Sequence, residues 1–291
     1  MPTDSPECVA FIGLGEMGMP MAAHVASSGR AVRAHDAVAE RRSEAAERGI
    51  DWAASGAEAA SAATRTVVVM VRTLPQVEAA LFDAGGVLAA DRDAVDIVVM
   101  STIDPGSMRD LAARAGACGA TVVDAPVSGG RKGAEDATLA IMASGPADAL
   151  ARVDPLLELL GGHVAHVGDE AGHGQAVKLA NQAMMAAAMA GTVEGLEIAE
   201  RYGVDAGTML DVVAHGTGGG WVMRNWDWMR SLWEEYEPGN ALDVLDKDMR
   251  ALLDVAGRDW MSLPVAAASF QRLVAFWSEH DAVRRARDPG S

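Results

Sequence analysis

Apolar residues fall in short runs over the first 170 positions and in long one-sided stretches after that. The runs at 9–14, 32–35, 66–71, 97–100, 121–123, 139–144 and 163–167 are brief, and several are rich in β-branched side chains, so they predict strands. Alanine-rich segments such as 40–47 and 108–117 lie between them and read as helices. Strands alternating with helices imply βαβ units around a mostly parallel sheet. The pattern changes after Gly174. Residues 177–201 carry Ala, Met, Leu and Ile with no proline, and 206–213, 244–256 and 265–279 are further helical segments. Nothing there reads as a strand. Gly191 and Gly195, four apart in the long segment, fit either a close helix approach or two tolerated helix glycines. The glycine-rich stretch 168–174 sets the boundary, giving domains 1–170 and 171–291.

Composition narrows the function classes. The chain has 291 residues, half of them hydrophobic, enough for two ordinary domains with sizeable cores. No apolar stretch is long enough for a membrane span. Residues 1–7 are polar and acidic, unlike a signal peptide. Cys8 and Cys118 sit in or beside apolar runs and read as small core residues, so a reducing, cytoplasmic location is expected. The sixteen methionines read as gap-fillers in helical cores. The tail 284–291 is charged and reads as frayed. A net charge of −17 argues against nucleic acid and anionic membranes as partners. It also means that an anionic substrate needs local positive charge. No His/Cys/Asp cluster has metal-ligand spacing, so no catalytic metal is expected.

The first chemical motif follows the first strand: Gly13, Leu14, Gly15, Glu16, Met17, Gly18. The first glycine permits a tight turn, the second lets backbone approach a pyrophosphate, and the third lets helix and strand pack closely. The pyrophosphate then meets the free N–H groups of a helix N-terminus. Asp36 ends the second strand roughly 20 residues on, where a carboxylate accepts ribose hydroxyls. The motif therefore predicts a Rossmann-type N-terminal domain, and the helical pattern after Gly174 predicts a long interdomain helix leading to an all-α C-terminal domain. Asp36 favours NAD, because it would repel a 2′-phosphate. Arg33, Arg41 and Arg42 stand nearby and keep NADP open, although a solvated helix face accounts for them as well.

Four patches spread over nearly the whole chain resemble the β-hydroxyacid dehydrogenases, a family that includes 3-hydroxyisobutyrate dehydrogenase, tartronate semialdehyde reductase and L-threonate dehydrogenase. They are the loop from Phe11 to Gly18; Asp124-Ala-Pro-Val-Ser-Gly-Gly130 with Gly133-Ala134 and Thr138-Leu139; Gly172-His-Gly-Gln-Ala-Val-Lys178-Leu-Ala-Asn181-Gln182; and Lys247-Asp248. The second and third are far more specific than the glycine loop. The resemblance implies that Lys178 is the catalytic acid/base and that Ser128, Gly129 and Gly130 form a substrate-carboxylate loop, consistent with the anion-binding concavity that a hydroxyl and successive N–H groups make. Asn181 and Gln182, three and four residues beyond Lys178, share its helix face and are implied substrate donors. Lys247, Thr102 and the segment Val71-Arg72 are implied cofactor contacts, Thr102 being equally readable as a strand-end cap. A homodimer or homotetramer is implied as well.

The chain also departs from the family pattern. Val71-Arg72 stands where Leu-Pro is common, Ala137 where a glycine is usual, and Asn240 where an aromatic is common. Met185 replaces the glutamate of decarboxylating 6-phosphogluconate members, which puts that chemistry in doubt. Trp221, Trp226, Trp228 and Trp233 are unusual; they read as packing of the helical domain or an interface, with a substrate-pocket wall as the alternative. The chemistry implied is hydride transfer between NAD(P) and a small β-hydroxy acid or its semialdehyde, with a neutral lysine taking the hydroxyl proton. Two alternatives stay open: an imine reductase-like enzyme, and a non-catalytic dinucleotide-binding protein of the same fold.

Overall fold

The computed structural model describes residues 8–61, 64–90, 94–280 and 283; the expectations for 1–7 and 284–291 fall outside these. Nine strands form one sheet: β1 Cys8–Ile12, β2 Ala31–His35, β3 Asp51–Trp52, β4 Thr64–Val69, β5 Val95–Val99, β6 Ala120–Asp124, β7 Val127–Ser128, β8 Ala140–Ser144 and β9 His163–Gly168. Their order is β3-β2-β1-β4-β5-β6-β8-β7, with β9 paired to β8. The first six strands of that order are parallel. β8 runs antiparallel to β6 and β7, and β9 runs parallel to β8.

Helices α1 Gly18–Ser27, α2 Arg41–Glu47, α3 Gly56–Ala59, α4 Leu74–Phe82, α5 Pro105–Ala117, α6 Gly130–Glu135 and α7 Ala147–Leu157 connect the strands. The chain moves outward from β1 to β2 and β3, then returns to the other side of β1 with β4. The carboxyl ends of β1 and β4 thus flank the topological switch point, where doubly wound sheets bind ligands.

Side chains of successive strand residues go to opposite faces, and both faces are covered. Phe11, Val68, Val98 and Val123 lie in one core cluster, while Ala10, Ile12, Val67, Val69, Ile97 and Val99 lie in the other. This is why the strands read as continuous apolar runs rather than alternating ones. All seven expected strands are present, displaced by one or two residues at their ends. β3 and β7 were not expected, because two residues carry no period. Cys118 is exposed rather than a core residue, since it caps the end of α5 at the turn made by Gly119.

The chain divides into two compact units, Met1–Lys178 and Leu179–Ser291, the cut falling inside α8 His173–Arg201. The second unit contains α9 Ala206–His215, α10 Trp221–Arg224, α11 Trp226–Glu234, α12 Ala241–Arg258 and α13 Pro264–Glu279, with no strand among its described residues. Its core gathers Met189, Val193, Trp226, Trp233, Met249, Leu273 and Trp277. The tryptophans divide in two. Trp226 and Trp233 are buried edge to face, 5.5 Å between ring centroids; Trp221 and Trp228 form a second such pair at the surface. Of the two helix glycines, Gly191 faces open space, while Gly195 lies against the Met209 side chain. α8 starts four residues before the expected 177. Gly172 and Gly174 look like breakers in sequence, but the N–H groups of this first turn have buried acceptors, as described below. Among the described residues, no helix is long and apolar enough to cross a membrane and no group of three or more His, Cys, Asp or Glu is placed to hold a metal ion.

Candidate active site

The glycine loop leaves β1 and enters α1. Gly13 has φ +98°, a conformation that L side chains rarely adopt, and a Cβ there would overlap the Met70 carbonyl and meet Val71 Cγ1 at 2.8 Å. A Cβ on Gly18 would overlap the Gly13 carbonyl, so helix and loop touch through bare backbone. Gly15 differs. A Cβ there would meet only the Arg41 guanidinium, at 3.9 Å, so the space beside it is open. Two glycines close the turn and the third leaves room above it, which is the cradle a pyrophosphate requires. Leu14 is buried, Met17 is half-buried and packs against the same core, and Glu16 is exposed.

Asp36 lies just past β2 and is buried, at 8% exposure. Its Oδ2 accepts the Leu14 N–H at 2.6 Å and its Oδ1 the Val38 N–H at 2.7 Å. Arg41 Nη1 donates to Oδ2 at 2.7 Å. Arg41 is therefore more than a solvated residue of a helix face. Arg33 turns instead to Ser61 and Glu58, and Arg42 is exposed.

The lysine helix begins at the carboxyl end of β6. Asp124 is fully buried there. Its Oδ2 accepts the backbone N–H groups of Gly172 (2.9 Å) and Gln175 (3.1 Å) and the Ser144 hydroxyl (3.3 Å). Its Oδ1 accepts Gln175 Nε2 at 2.7 Å. Ser144 Oγ in turn accepts the Gly174 N–H at 3.0 Å. A carboxylate at a helix start satisfies orphan N–H groups and opposes the dipole. Burial is the largest influence on Asp124 and pushes its carboxyl above the usual carboxylate range, against the hydrogen bonds from Gln175, Gly172 and Ser144. Lys178 follows one turn later and is buried, at 6% exposure.

Asn181 is half-buried and Gln182 buried on the same helix. Asn181 Nδ2 donates to Gln182 Oε1 at 3.3 Å, and Gln182 Nε2 donates to Asp248 Oδ2 at 2.7 Å. Lys247 Nζ lies 2.7 Å from the other Asp248 oxygen. Asp248 itself is fully buried, so one carboxylate holds both the amide and the ammonium of two expected site residues.

The remaining expected residues sit on loops at strand ends. Val71 and Arg72 lie between β4 and α4, where Thr73 and Gln76 form a reciprocal cap and Gln76 also accepts the Arg72 N–H. Thr102 lies between β5 and α5. Ser128 is in β7, Gly129 has φ +135°, and Gly130 opens α6. Ala137 has φ +53°, which explains why a glycine is usual at that position. Asp124 and Gln175 were not singled out in sequence, because residues 51 positions apart show no sign of meeting.

A family profile described as the NAD binding domain of 6-phosphogluconate dehydrogenase matches residues 8–168. Another, described as NAD-binding of NADP-dependent 3-hydroxyisobutyrate dehydrogenase, matches residues 172–285. L-Threonate dehydrogenase from Cupriavidus necator is 33% identical over 263 residues, 90% of this chain and 88% of that protein. 3-Hydroxyisobutyrate dehydrogenase from Pseudomonas aeruginosa is 32% identical over 289 residues, 96% of this chain and 95% of that protein. The solved structure of Mycobacterium tuberculosis 3-hydroxyisobutyrate dehydrogenase with L-serine superposes with a TM-score of 0.83 at 31% identity, over 95% of this chain and 96% of that one.

Fold, glycine cradle and profiles together define an NAD(P)-dependent oxidoreductase. The chain belongs to the β-hydroxyacid dehydrogenase family, whose named relatives act on a CH–OH group. Imine reductases share only the fold: the one from Streptomyces aurantiacus is 19% identical, with a TM-score of 0.67.

Proposed function

We propose that Lys178 is the general acid/base of hydride transfer between NAD(P) and a small β-hydroxy acid or its semialdehyde. The observation that carries this reading is the burial of Lys178 on the same α8 face as Asn181 and Gln182, one turn after the helix is anchored on Asp124. Oxidation of the alcohol requires a group to take the hydroxyl proton, and reduction requires it back; a neutral lysine takes it, and the ammonium so formed returns it. Asn181 and Gln182 offer amide donors to the substrate oxygen. The Ser128 hydroxyl and the N–H groups of Gly129 and Gly130 hold the substrate carboxylate. The family resemblance assigns each of these roles.

Gly13, Leu14, Gly15, Glu16, Met17 and Gly18 would hold the pyrophosphate of the dinucleotide and Asp36 its ribose, with Val71, Arg72, Thr102 and Lys247 as further contacts. When bound, the nicotinamide supplies the hydride acceptor or donor. Asp36 supports a preference for NAD, and Arg41 moderates it. L-Threonate, 3-hydroxyisobutyrate and L-serine, taken from the relatives, are the first substrates to assay.

Exposed apolar residues on one side of α8, Met184 and Ile198, with Tyr202 just past its end, support a homodimer or homotetramer. The free thiols of Cys8 and Cys118 are consistent with a reducing cytoplasm.

Lys178→Met tests the central assignment. It keeps most of the apolar stem and removes the amine, so kcat falls by about 10²- to 10⁴-fold while dinucleotide affinity holds. Lys178→Arg does not rescue, because a guanidinium stays protonated. Retention of more than about a tenth of wild-type kcat in Lys178→Met would overturn the mechanism.

A further inference from the structure

Gln175 has no role in the reading above, yet its side chain is fully buried and every polar atom of it is engaged. Its Oε1 accepts the Ile103 N–H at 3.0 Å. Its Nε2 donates to the Ser101 carbonyl at 3.1 Å and to Asp124 Oδ1 at 2.7 Å. Ser101 and Ile103 flank Thr102, so a single amide grips the backbone on both sides of that residue. Ser101 also reaches the next loop, since its Oγ accepts the Val71 N–H at 2.9 Å. The loops after β4 and β5 and the end of β6 are therefore tied to the first turn of α8. Lys178 follows three residues on, about 4.5 Å along the axis and on the same side.

The bonding pattern selects for an amide. One acceptor must face an N–H, and two hydrogens must face a carbonyl and a carboxylate, an inventory that fits an amide group. The reach selects for glutamine over asparagine. A glutamate would set a second acceptor against the Ser101 carbonyl and Asp124. A methionine would fill the space while leaving the Ile103 N–H and the Ser101 carbonyl without this partner.

We propose that Gln175 is a positioning residue that holds the Thr102 loop and Lys178 at one spacing, so that the dinucleotide and the acid/base meet in register. The proposal rests on the assignments of Thr102 and Lys178 made above. Its consequence is kinetic: small misplacements of reacting groups cost rate far more than they cost binding or folding.

The test uses the full chain with NAD and 3-hydroxyisobutyrate, or whichever of the three candidate acids turns over. Thermal unfolding, dinucleotide Kd by nicotinamide fluorescence, and single-turnover hydride transfer per bound dinucleotide are measured. For Gln175→Met the single-turnover rate falls about 10- to 100-fold and Kd rises, at a modest cost in Tm. Gln175→Glu recovers rate as pH falls, because protonation restores a donor toward Ser101 and Asp124. A wild-type rate and Kd in Gln175→Met, with only Tm lowered, overturns the proposal. Should Gln175→Met fail to fold, Gln175→Glu decides: a rate ratio to wild type that stays flat with pH overturns it. Lys178→Met, run alongside, separates the two readings. A wild-type rate there sinks the acid/base assignment; a slow Lys178→Met beside an unaltered Gln175→Met sinks the positioning role alone.

Discussion

The Arg41 guanidinium lies 2.7 Å from Asp36 Oδ2, the same oxygen that accepts the Leu14 N–H of the glycine loop. A residue expected to exclude a 2′-phosphate is thus paired with a cation able to receive one. The wild type is expected to favour NAD, with Arg41 narrowing the margin. Arg41→Ala should raise the NAD:NADP ratio of kcat/KM by about tenfold, or about 1.4 kcal/mol. An unchanged ratio would leave Arg41 as a partner of Asp36 with no part in cofactor choice.

The three loop glycines should respond differently to alanine. At Gly15 the added methyl enters open space, so stability stays within about 0.5 kcal/mol of wild type, while dinucleotide Kd rises because the pyrophosphate loses its approach. At Gly13 the positive φ costs about 1–2 kcal/mol and the overlap with Met70 adds to it, so both Tm and affinity fall. Calorimetric titration beside thermal melts distinguishes the two; equal Tm losses would contradict the reading of the cradle.

Asp124 carries a pH signature. Its folded-state pKa is raised by burial, so its contribution to stability is complete below the ordinary carboxylate pKa and is lost as pH rises through the folded value. Asp124→Asn removes that titration but not the constant cost of its altered hydrogen bonds. The stability of wild type relative to Asp124→Asn should therefore decline as pH rises above the ordinary carboxylate range, as read from urea midpoints. A difference that grows with pH would mean that the four donors outweigh burial.

Ala137 sits at φ +53°, where an L side chain costs about 1–2 kcal/mol. Glycine relieves this but loosens the unfolded chain, by about 0.4–1 kcal/mol. Ala137→Gly should come out neutral to stabilising by about 1 kcal/mol in equilibrium unfolding; a clear loss of stability would show that the methyl contributes packing.

Met184 and Ile198, fourteen positions apart, share a side of α8, and Tyr202 follows its last residue; the three are 74%, 62% and 82% exposed. If that side is covered by a second copy, light scattering at micromolar concentration gives a dimer or larger. Ile198→Glu combined with Tyr202→Asp should lower the mass to that of a monomer without loss of helical signal. A wild-type monomer would remove the homodimer reading.

What the sequence disclosed depended on how local the signal was. The glycine loop and Asp36 announce themselves because spacing within a βα unit carries their chemistry, whereas Lys178 was picked out only by the resemblance of its surrounding motif to a family. β3 and β7 stayed hidden because two residues have no periodicity, and Cys118 was misread because a turn can follow an apolar run. The Asp124–Gln175 contact was invisible for another reason: it joins the end of one strand to the start of a helix 51 residues later, and only the folded sheet brings them together. Arg41 lay between these cases. It was noticed beside Asp36, but its direction depended on how α2 leaves the loop.

The uninterrupted run of α8 from Gln175 through Lys178 to Gln182 bears on how the chain can vary in length. Each residue turns the helix by about 100° and advances it by about 1.5 Å. One residue gained or lost between Gln175 and Lys178 would swing the amine about a quarter turn away from the face that Asn181 and Gln182 now share with it. Changes of three or four residues would keep the face but shift the amine by about one turn of the helix. Substitutions here can be graded in their effects, whereas insertions and deletions are close to all-or-none. Length variation should therefore be confined to places such as the loop between α9 and α10, where no such angular bookkeeping applies.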